Sequence, residues 1–372
     1  MTTRLLARTD LALLAVVVLL CAYGALMIYS CTQAQLAMDH KSPTHILHLQ
    51  LTWIGLGLAV MVLLMLVDYD RLASLSPAIY GFALALLLLV LAVGRVVYGS
   101  SRWLAVGPIT VQPSELSKLA VIIMLASYVA THTYNRQQSF HVVLWGLALV
   151  MLPVGLIFLQ PDLGTPVVLL FICFFVLFLA GVRLTHLGAF AFAFLMLFAT
   201  AWGSNLIRPH QKARLTAFIH PEQDKYGANY HLTQSLIAIG SGHFLGKGLF
   251  QGTQSRGDFI PHQEKDFVFT VVGEEWGFVG SLAMLALLAL LLWRCLAISW
   301  EAKDLLGRLL AAGIGAMFFI HIAANIGMAL GIAPVKGMTL PFVSYGGSSL
   351  LVNFAAAGIL QSIHMRKRKI AF

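Results

Sequence analysis

LALLAVVVLLCAYGALMIYSC, residues 11–31, carries no charged side chain from end to end. A helix of that length rises about 30 Å, the thickness of a bilayer's hydrocarbon core. Only a helix can satisfy every backbone N–H and C=O of such a segment in lipid. Working outward, similar runs recur along the chain, and they place ten spans at 11–31, 46–67, 77–97, 117–132, 141–159, 164–181, 185–205, 268–293, 305–331 and 346–364. Composition agrees, with 59% hydrophobic residues, 10% charged residues and a mean hydropathy of +0.85 over 372 residues. The expectation is an all-α polytopic membrane protein forming one integral membrane domain over 1–372. No secretory signal pattern precedes the first run, so Arg4 and Arg8 are expected to flank a retained helix. Cys21, Cys31, Cys173 and Cys295 lie in or beside apolar runs without a CxxC spacing, which argues against a disulfide framework or a metal knuckle.

A net charge of +9 could point to nucleic acid, but its distribution points to topology instead. With the N-terminus inside, twelve of the 24 Lys and Arg residues fall in cytoplasmic segments, including the tail cluster Arg366, Lys367, Arg368 and Lys369. The short outer loops and span edges hold Lys41, Arg95, Arg102, Lys118 and Lys336. The remaining seven sit in one long outer loop, where the positive-inside rule weakens. Both termini are therefore expected in the cytoplasm, with the MRKRK tail as a topology anchor against anionic lipid.

That loop, residues 206–267 between spans seven and eight, is too long for an idle connection. Within it YHLTQSLIAIGSGHFLGKGLF reads as an amphipathic stretch with Leu232, Leu236, Ile237 and Ile239 on one side, then a glycine-rich turn. The turn has two readings, a re-entrant or interfacial segment and a phosphate cradle of backbone N–H groups. Arg208, Lys212 and Arg214 are either solvated charges or guides for an anionic substrate.

A charge inside a span costs about 2.5–3.5 kcal/mol on insertion scales, so each one asks for a partner or a task. In GSSRWLAVGPITVQPSELSKLAVIIML, Arg102 precedes Glu115 and Lys118, whose i,i+3 spacing puts them on one helix face. They form either an ion pair in a first turn opened by Pro113 and Ser114 or part of a site. In FLQPDLGTPVV, Asp162 either N-caps the sixth span or joins that site. PVKGMTLPFVSYGGSSLL, residues 334–351, breaks an apolar region around Ser344 with prolines and paired glycines. With His321 and Asn325 in the preceding span it implies a polar vestibule, in which His321 reads as a satisfied interior histidine.

HQEKDFVFTVVGEEWG, residues 262–277, gathers Glu264, Asp266, Glu274 and Glu275 at the edge of the eighth span. Together with GSSRW, QPSELSKL, QPDLGT, YHLTQSLIAIGSG, GKGLFQGTQS and GMTLPFVSYGGSSLL, in this order, it resembles the SEDS family of bacterial cell-wall proteins. Within that family the chain is more similar to the RodA branch of cell elongation than to the FtsW and SpoVE branches of division and sporulation. The resemblance implies a peptidoglycan glycosyltransferase that joins lipid II into glycan strands at the outer face of the bacterial cytoplasmic (inner) membrane. It implies Asp266 as the essential acid, with Lys118, Glu115 and Arg102 as its matched family positions. Glu264 and Lys265 stand where the family usually has histidine and threonine. It also implies a class B penicillin-binding protein and the elongation-complex membrane proteins as partners.

The chemistry follows from the substrate. Making a β-1,4 bond from an α-linked sugar diphosphate needs a carboxylate to take the 4-hydroxyl proton and positive charge to hold the departing diphosphate. Asp266 fits the first role, and Lys118 and Arg102 fit the second or the task of holding Asp266 ionised. No DxD-type pair is present, so no cofactor is expected, with a divalent cation as the only candidate. Glu274 and Glu275 read as structural, bonding the PFVSYGG backbone or a cation such as Lys336. A transporter of a lipid-linked precursor is the alternative class, and a scaffold a third; the clustering of polar residues on the outer side favours the enzyme.

Overall fold

The computed structural model describes residues 8–367 apart from 39, 41, 98–99, 107–108, 133–138, 161, 163, 204–211, 213–215, 217, 219–229, 258, 261 and 335–336. Each expected span contains a helix among the described residues. In chain order the elements are α1 (Leu11–Met38), α2 (His45–Leu66), α3 (Tyr69–Ser74), α4 (Ser76–Val93), β1 (Arg95–Val97), β2 (Ser100–Val106), β3 (Ile109–Val111), α5 (Pro113–His132), α6 (Ser139–Leu159), α7 (Gly164–Leu179) and α8 (Leu184–Gly203). There follow α9 (Tyr230–Ser241), α10 (Thr253–Arg256), α11 (Gln263–Asp266), α12 (Val268–Glu275), α13 (Gly277–Glu301), α14 (Leu305–Ala329) and α15 (Gly347–Met365). Among the described residues eight helices are long and apolar enough to cross a membrane, and α7 and the first part of α8 are shorter apolar helices. The chain is a multi-span helical membrane protein.

Three local features depart from the expected pattern. The third span stops at Val93, where Gly94 turns extended (ψ 137°), and residues 95–111 fold into an antiparallel sheet ordered β1-β2-β3. Val96, Val97, Ile109 and Val111 are β-branched, which suits a pleated ribbon better than a helix. The eighth span breaks between Glu275 and Gly277, whose φ of +62° lies in the left-handed region that glycine adopts without strain. The third departure is α9, which buries Leu232, Ser235 and Ala238 and leaves Leu236 and Ile237 about half exposed. Ser235 Oγ lies 2.6 Å from Thr270 Oγ1 and donates to Ala329 O at 2.8 Å, so a polar pair, not the leucine stripe, sets which face turns inward.

Packing is most extensive between α2 and α15, where a Cβ on Gly57 would overlap the Phe354 ring and one on Gly347 the Trp53 ring. These contacts run in parallel register, and α1 and α15 meet where Asp10 N–H donates to Gln361 Oε1 and Gln361 Nε2 returns a bond to Asp10 O, each at 2.8 Å. Both chain ends therefore lie at one end of the bundle. The sheet and α9–α11 decorate the other end. Of the expected long loop, Arg208 and Arg214 fall outside the described residues.

Candidate active site

Lys118 is the most deeply placed cation, 2% exposed one turn into α5. Its Nζ donates to both oxygens of Glu115 at 2.8 Å and lies 2.9 Å from His321 Nε2. An ammonium has three protons and no lone pair, so Nε2 accepts. The other ring nitrogen, Nδ1, then donates to Thr339 O at 3.2 Å. The i,i+3 pair is present, and a histidine from another helix completes it. All three Lys118 protons are spent within this cluster.

Arg102, on β2, and Asp162 form a second group. Asp162 Oδ1 accepts the Gly164 N–H at 2.9 Å and Oδ2 accepts the Thr165 hydroxyl at 2.8 Å, so it caps α7. The same carboxylate faces the Arg102 guanidinium at 3.8 Å, and Arg102 Nε donates to Gln160 O. One side chain thus caps α7, as the N-cap reading expected, and pairs with Arg102.

Asp266 ends α11 and is half-buried. Its carbonyl accepts Asn325 Nδ2 at 2.9 Å, and the same amide donates to Met338 O at 2.6 Å. Asn325 lies one turn beyond His321, so a single face of α14 holds both the Lys118 group and the Asp266 segment. Gly337 backs the Asp266 carboxylate closely, since a Cβ there would stand 3.2 Å from Oδ2.

Residues 337–340, GMTL, join these groups. Gly337 touches Asp266; Met338 packs against Gly164 beside Asp162 and accepts from Asn325; Thr339 accepts from His321 and lies 2.6 Å from Ser349 Oγ. Leu340 donates its N–H to Ser344 Oγ at 2.9 Å. Ser344 is buried and uses its hydroxyl to close this turn. Where the sequence led to the expectation of a polar vestibule, residues 337–340 of the GMTLPFVSYGGSSLL motif form a backbone strap that works through the carbonyls of Met338 and Thr339.

Glu274 and Glu275 are buried and structural, though with other partners than expected. Glu274 accepts the N–H groups of Thr253, Gln254 and Ser255 at 2.7, 2.8 and 2.9 Å and Lys247 Nζ at 2.8 Å. Glu275 accepts the Ser30 hydroxyl from α1 at 2.6 Å. Neither bonds the PFVSYGG backbone in these contacts, and Lys336 lies outside the described residues. The glycine-rich turn is likewise committed internally, with Lys247 N–H and Gly248 N–H donating to the carbonyls of Glu274 and Glu275. Of the two readings of that turn, the phosphate cradle loses its donors to the protein's own acceptors.

The chain has relatives that match it almost end to end. A family model described as cell cycle protein, FtsW/RodA/SpoVE, matches residues 10–369. Peptidoglycan glycosyltransferase MrdB of Escherichia coli (strain K12) is 36% identical over 365 residues, 97% of this chain and 95% of its own length. Stage V sporulation protein E of Bacillus subtilis (strain 168) is also 36% identical, covering 96% of this chain and 98% of its own. Among solved structures, a chain of a peptidoglycan synthase complex, described as coordinating polymerization and crosslinking, superposes with a TM-score of 0.79 at 34% identity and covers 96% of this chain and 97% of that one. The rod shape determining protein RodA of Thermus thermophilus superposes at 0.71 with 32% identity, covering 96% and 97%. Matched from residue 10 to residue 369, the chain belongs to the FtsW/RodA/SpoVE family of cell cycle proteins.

Proposed function

We propose that the protein is a peptidoglycan glycosyltransferase that polymerises lipid II into β-1,4 glycan strands, with Asp266 as general base. The observation that carries this reading is the convergence at one end of the bundle. There the half-buried Asp266 has its backbone carbonyl bonded by Asn325 and its carboxylate close to Gly337, and the 337–340 strap links this segment to the Lys118 and Arg102 groups. Asp266 takes the proton of the acceptor 4-hydroxyl as its oxygen attacks the anomeric carbon. The bond to the diphosphate breaks in line, with inversion, and the lipid diphosphate leaves.

Arg102 and Lys118 supply positive charge to the leaving group at different ranges. Arg102 is partly exposed and can meet a phosphate directly. Lys118 acts through its field, since contact with a diphosphate would exchange one of its bonds to Glu115 or His321. Glu115 and Asp162 hold these cations, and Ser344 shapes the strap. No metal is needed for these steps, although a divalent cation could add to the charge on the diphosphate. The names of the relatives and the RodA resemblance support cell elongation as the setting.

The site end then faces the outer side of the bacterial inner membrane, with both termini in the cytoplasm. A class B penicillin-binding protein is the proposed partner, docking through the eighth and ninth spans and the outer loop. The test supplies purified protein and that partner with labelled lipid II and looks for glycan chains on a gel. Polymer from wild type and none from Asp266→Asn supports the reading. Equal polymer from both, or lipid II crossing liposomes without polymer, overturns it, and the second result favours a transporter.

A further inference from the structure

Glu274 is fully buried, and the reaction just described makes no use of it. A buried carboxylate is costly unless its lone pairs are filled, and here three backbone N–H groups, the Thr253 hydroxyl at 3.1 Å and the Lys247 ammonium fill them. All of these donors come from residues 247–255. The carboxylate, projecting from α12, thus clamps a loop segment onto the start of the eighth span.

The clamp reaches the helix that carries Asp266 through one further bond. Ser255, whose N–H goes to Glu274, offers its carbonyl to Gln263 Nε2, which also donates to Cys31 O on α1 at 3.1 Å. Gln263 is the first residue of α11 and Asp266 the last, so the base rides on a four-residue helix too short to hold itself in place. The helix is also fixed by Tyr345 N–H to Glu264 O at 2.8 Å, by Asn325 to Asp266 O, and by Phe267 N–H to Gln263 O where the chain runs on toward α12.

We propose that Glu274 is a positioning residue for Asp266: through Ser255 and Gln263 it fixes the azimuth of α11 and so the aim of the base. The proposal rests on the polymerase reading for its kinetic consequence and on geometry alone for its structural one. A base displaced by about 1 Å can lose about 100-fold in rate while the substrate still binds. The effect therefore belongs in kcat.

The test compares wild type, Glu274→Gln, Glu274→Ala and Lys247→Ala with lipid II and the partner present. Glutamine keeps the shape but places an NH2 against backbone donors, so Glu274→Gln should lower kcat at least tenfold and leave KM within about twofold. Formate, standing where the lost carboxylate stood, should restore Glu274→Ala severalfold, and chloride should not. Lys247→Ala removes the charge partner and its bond to the Thr253 hydroxyl, keeps the three backbone donors, and should lower kcat about threefold; it serves if the Glu274 variants fail to fold. An unchanged kcat in Lys247→Ala and any folded Glu274 variant, or losses that fall equally on KM, would overturn the proposal. Amide hydrogen exchange separates it from the polymerase reading. Faster exchange at 263–267 in Glu274→Gln supports the clamp even if wild type makes no glycan, and unchanged exchange there overturns it.

Discussion

The two ends of the bundle hold charge in opposite ways. At the Asp266 end Glu115, Lys118, Glu274 and Glu275 are buried and bonded: Lys118 joins Glu115 to His321 of α14, Glu274 gathers the 247–255 segment, and Glu275 takes Ser30 of α1. At the end bearing the termini the pairs are looser: Lys303 with Asp70, Arg366 with Asp68, and Lys367 with Glu301 all keep at least one partner more than a third exposed. The second end ties α1, α2, α13 and α15 together as a collar. Dense, dry charge is expensive to build, and its concentration at one end marks where a preorganised field is needed.

The largest effect that would test this contrast is Asp266→Asn. Loss of a general base typically removes about 10²–10⁴ of the rate, so polymer should be undetectable on a gel, with insertion and thermal unfolding unchanged. Retained polymerisation would leave the dense end without its chemical reason. Next in size is Lys118→Met. Removing one member of a buried pair costs about 3–5 kcal/mol because Glu115 is left charged and unpaired, and thermal unfolding in detergent should fall accordingly. The double variant Glu115→Leu/Lys118→Met should recover most of that stability and none of the activity. Recovery of activity too would reduce the cluster to a structural device.

The contrast also explains what was legible in the sequence. The helical spans could be read, because apolar runs of bilayer length have few other uses, and eight of the described helices have that length and character. Asp266, Lys118, Glu115, Arg102 and Asp162 stood out because charge is rare in this chain. What stayed hidden depended on neighbours distant in sequence. His321 is 203 residues from Lys118, and Met338 and Thr339 act through carbonyls that every residue has. The sheet at 95–111 was masked by the apolar content of its β-branched residues, which hydropathy cannot tell from the end of a span. Leu232, Leu236, Ile237 and Ile239 read as one side of an amphipathic stretch, but Leu232 is buried and Leu236 and Ile237 are about half exposed, and Ser235 faces Thr270, a partner 35 residues on.

At the collar, the intermediate case is Arg294→Ala. Arg294 Nε donates to Asp10 Oδ2 at 2.8 Å, and Asp10 is buried at the start of α1. A lost hydrogen bond to a charged group costs about 1.5–3 kcal/mol, so stability should drop measurably while polymerisation per folded molecule stays at wild-type level. A specific loss of activity would mean that the collar transmits to the far end, and the two ends would no longer be independent.

The smallest effect belongs to Lys303→Ala. Its ammonium donates to Asp70 Oδ2 at 2.8 Å and sits 4.8 Å from the Tyr69 ring centre, but it is about a third exposed and Asp70 about half. Water competes for such a pair, which limits its worth to about 1 kcal/mol or less. The Asp70 carboxylate, with Asp304 and Asp68 nearby, holds the Lys303 ammonium above its ordinary pKa of 10.5 against the opposing effect of burial. A raised pKa of this sign contributes stability that is complete below the ordinary value and is lost as pH rises through the raised one. The stability difference between wild type and Lys303→Ala should therefore be flat from about pH 6 to about pH 9 and shrink only in stronger base. A difference that varies inside that window would place a second titrating group in the collar and give the looser end a coupling that its exposed pairs, taken singly, do not provide.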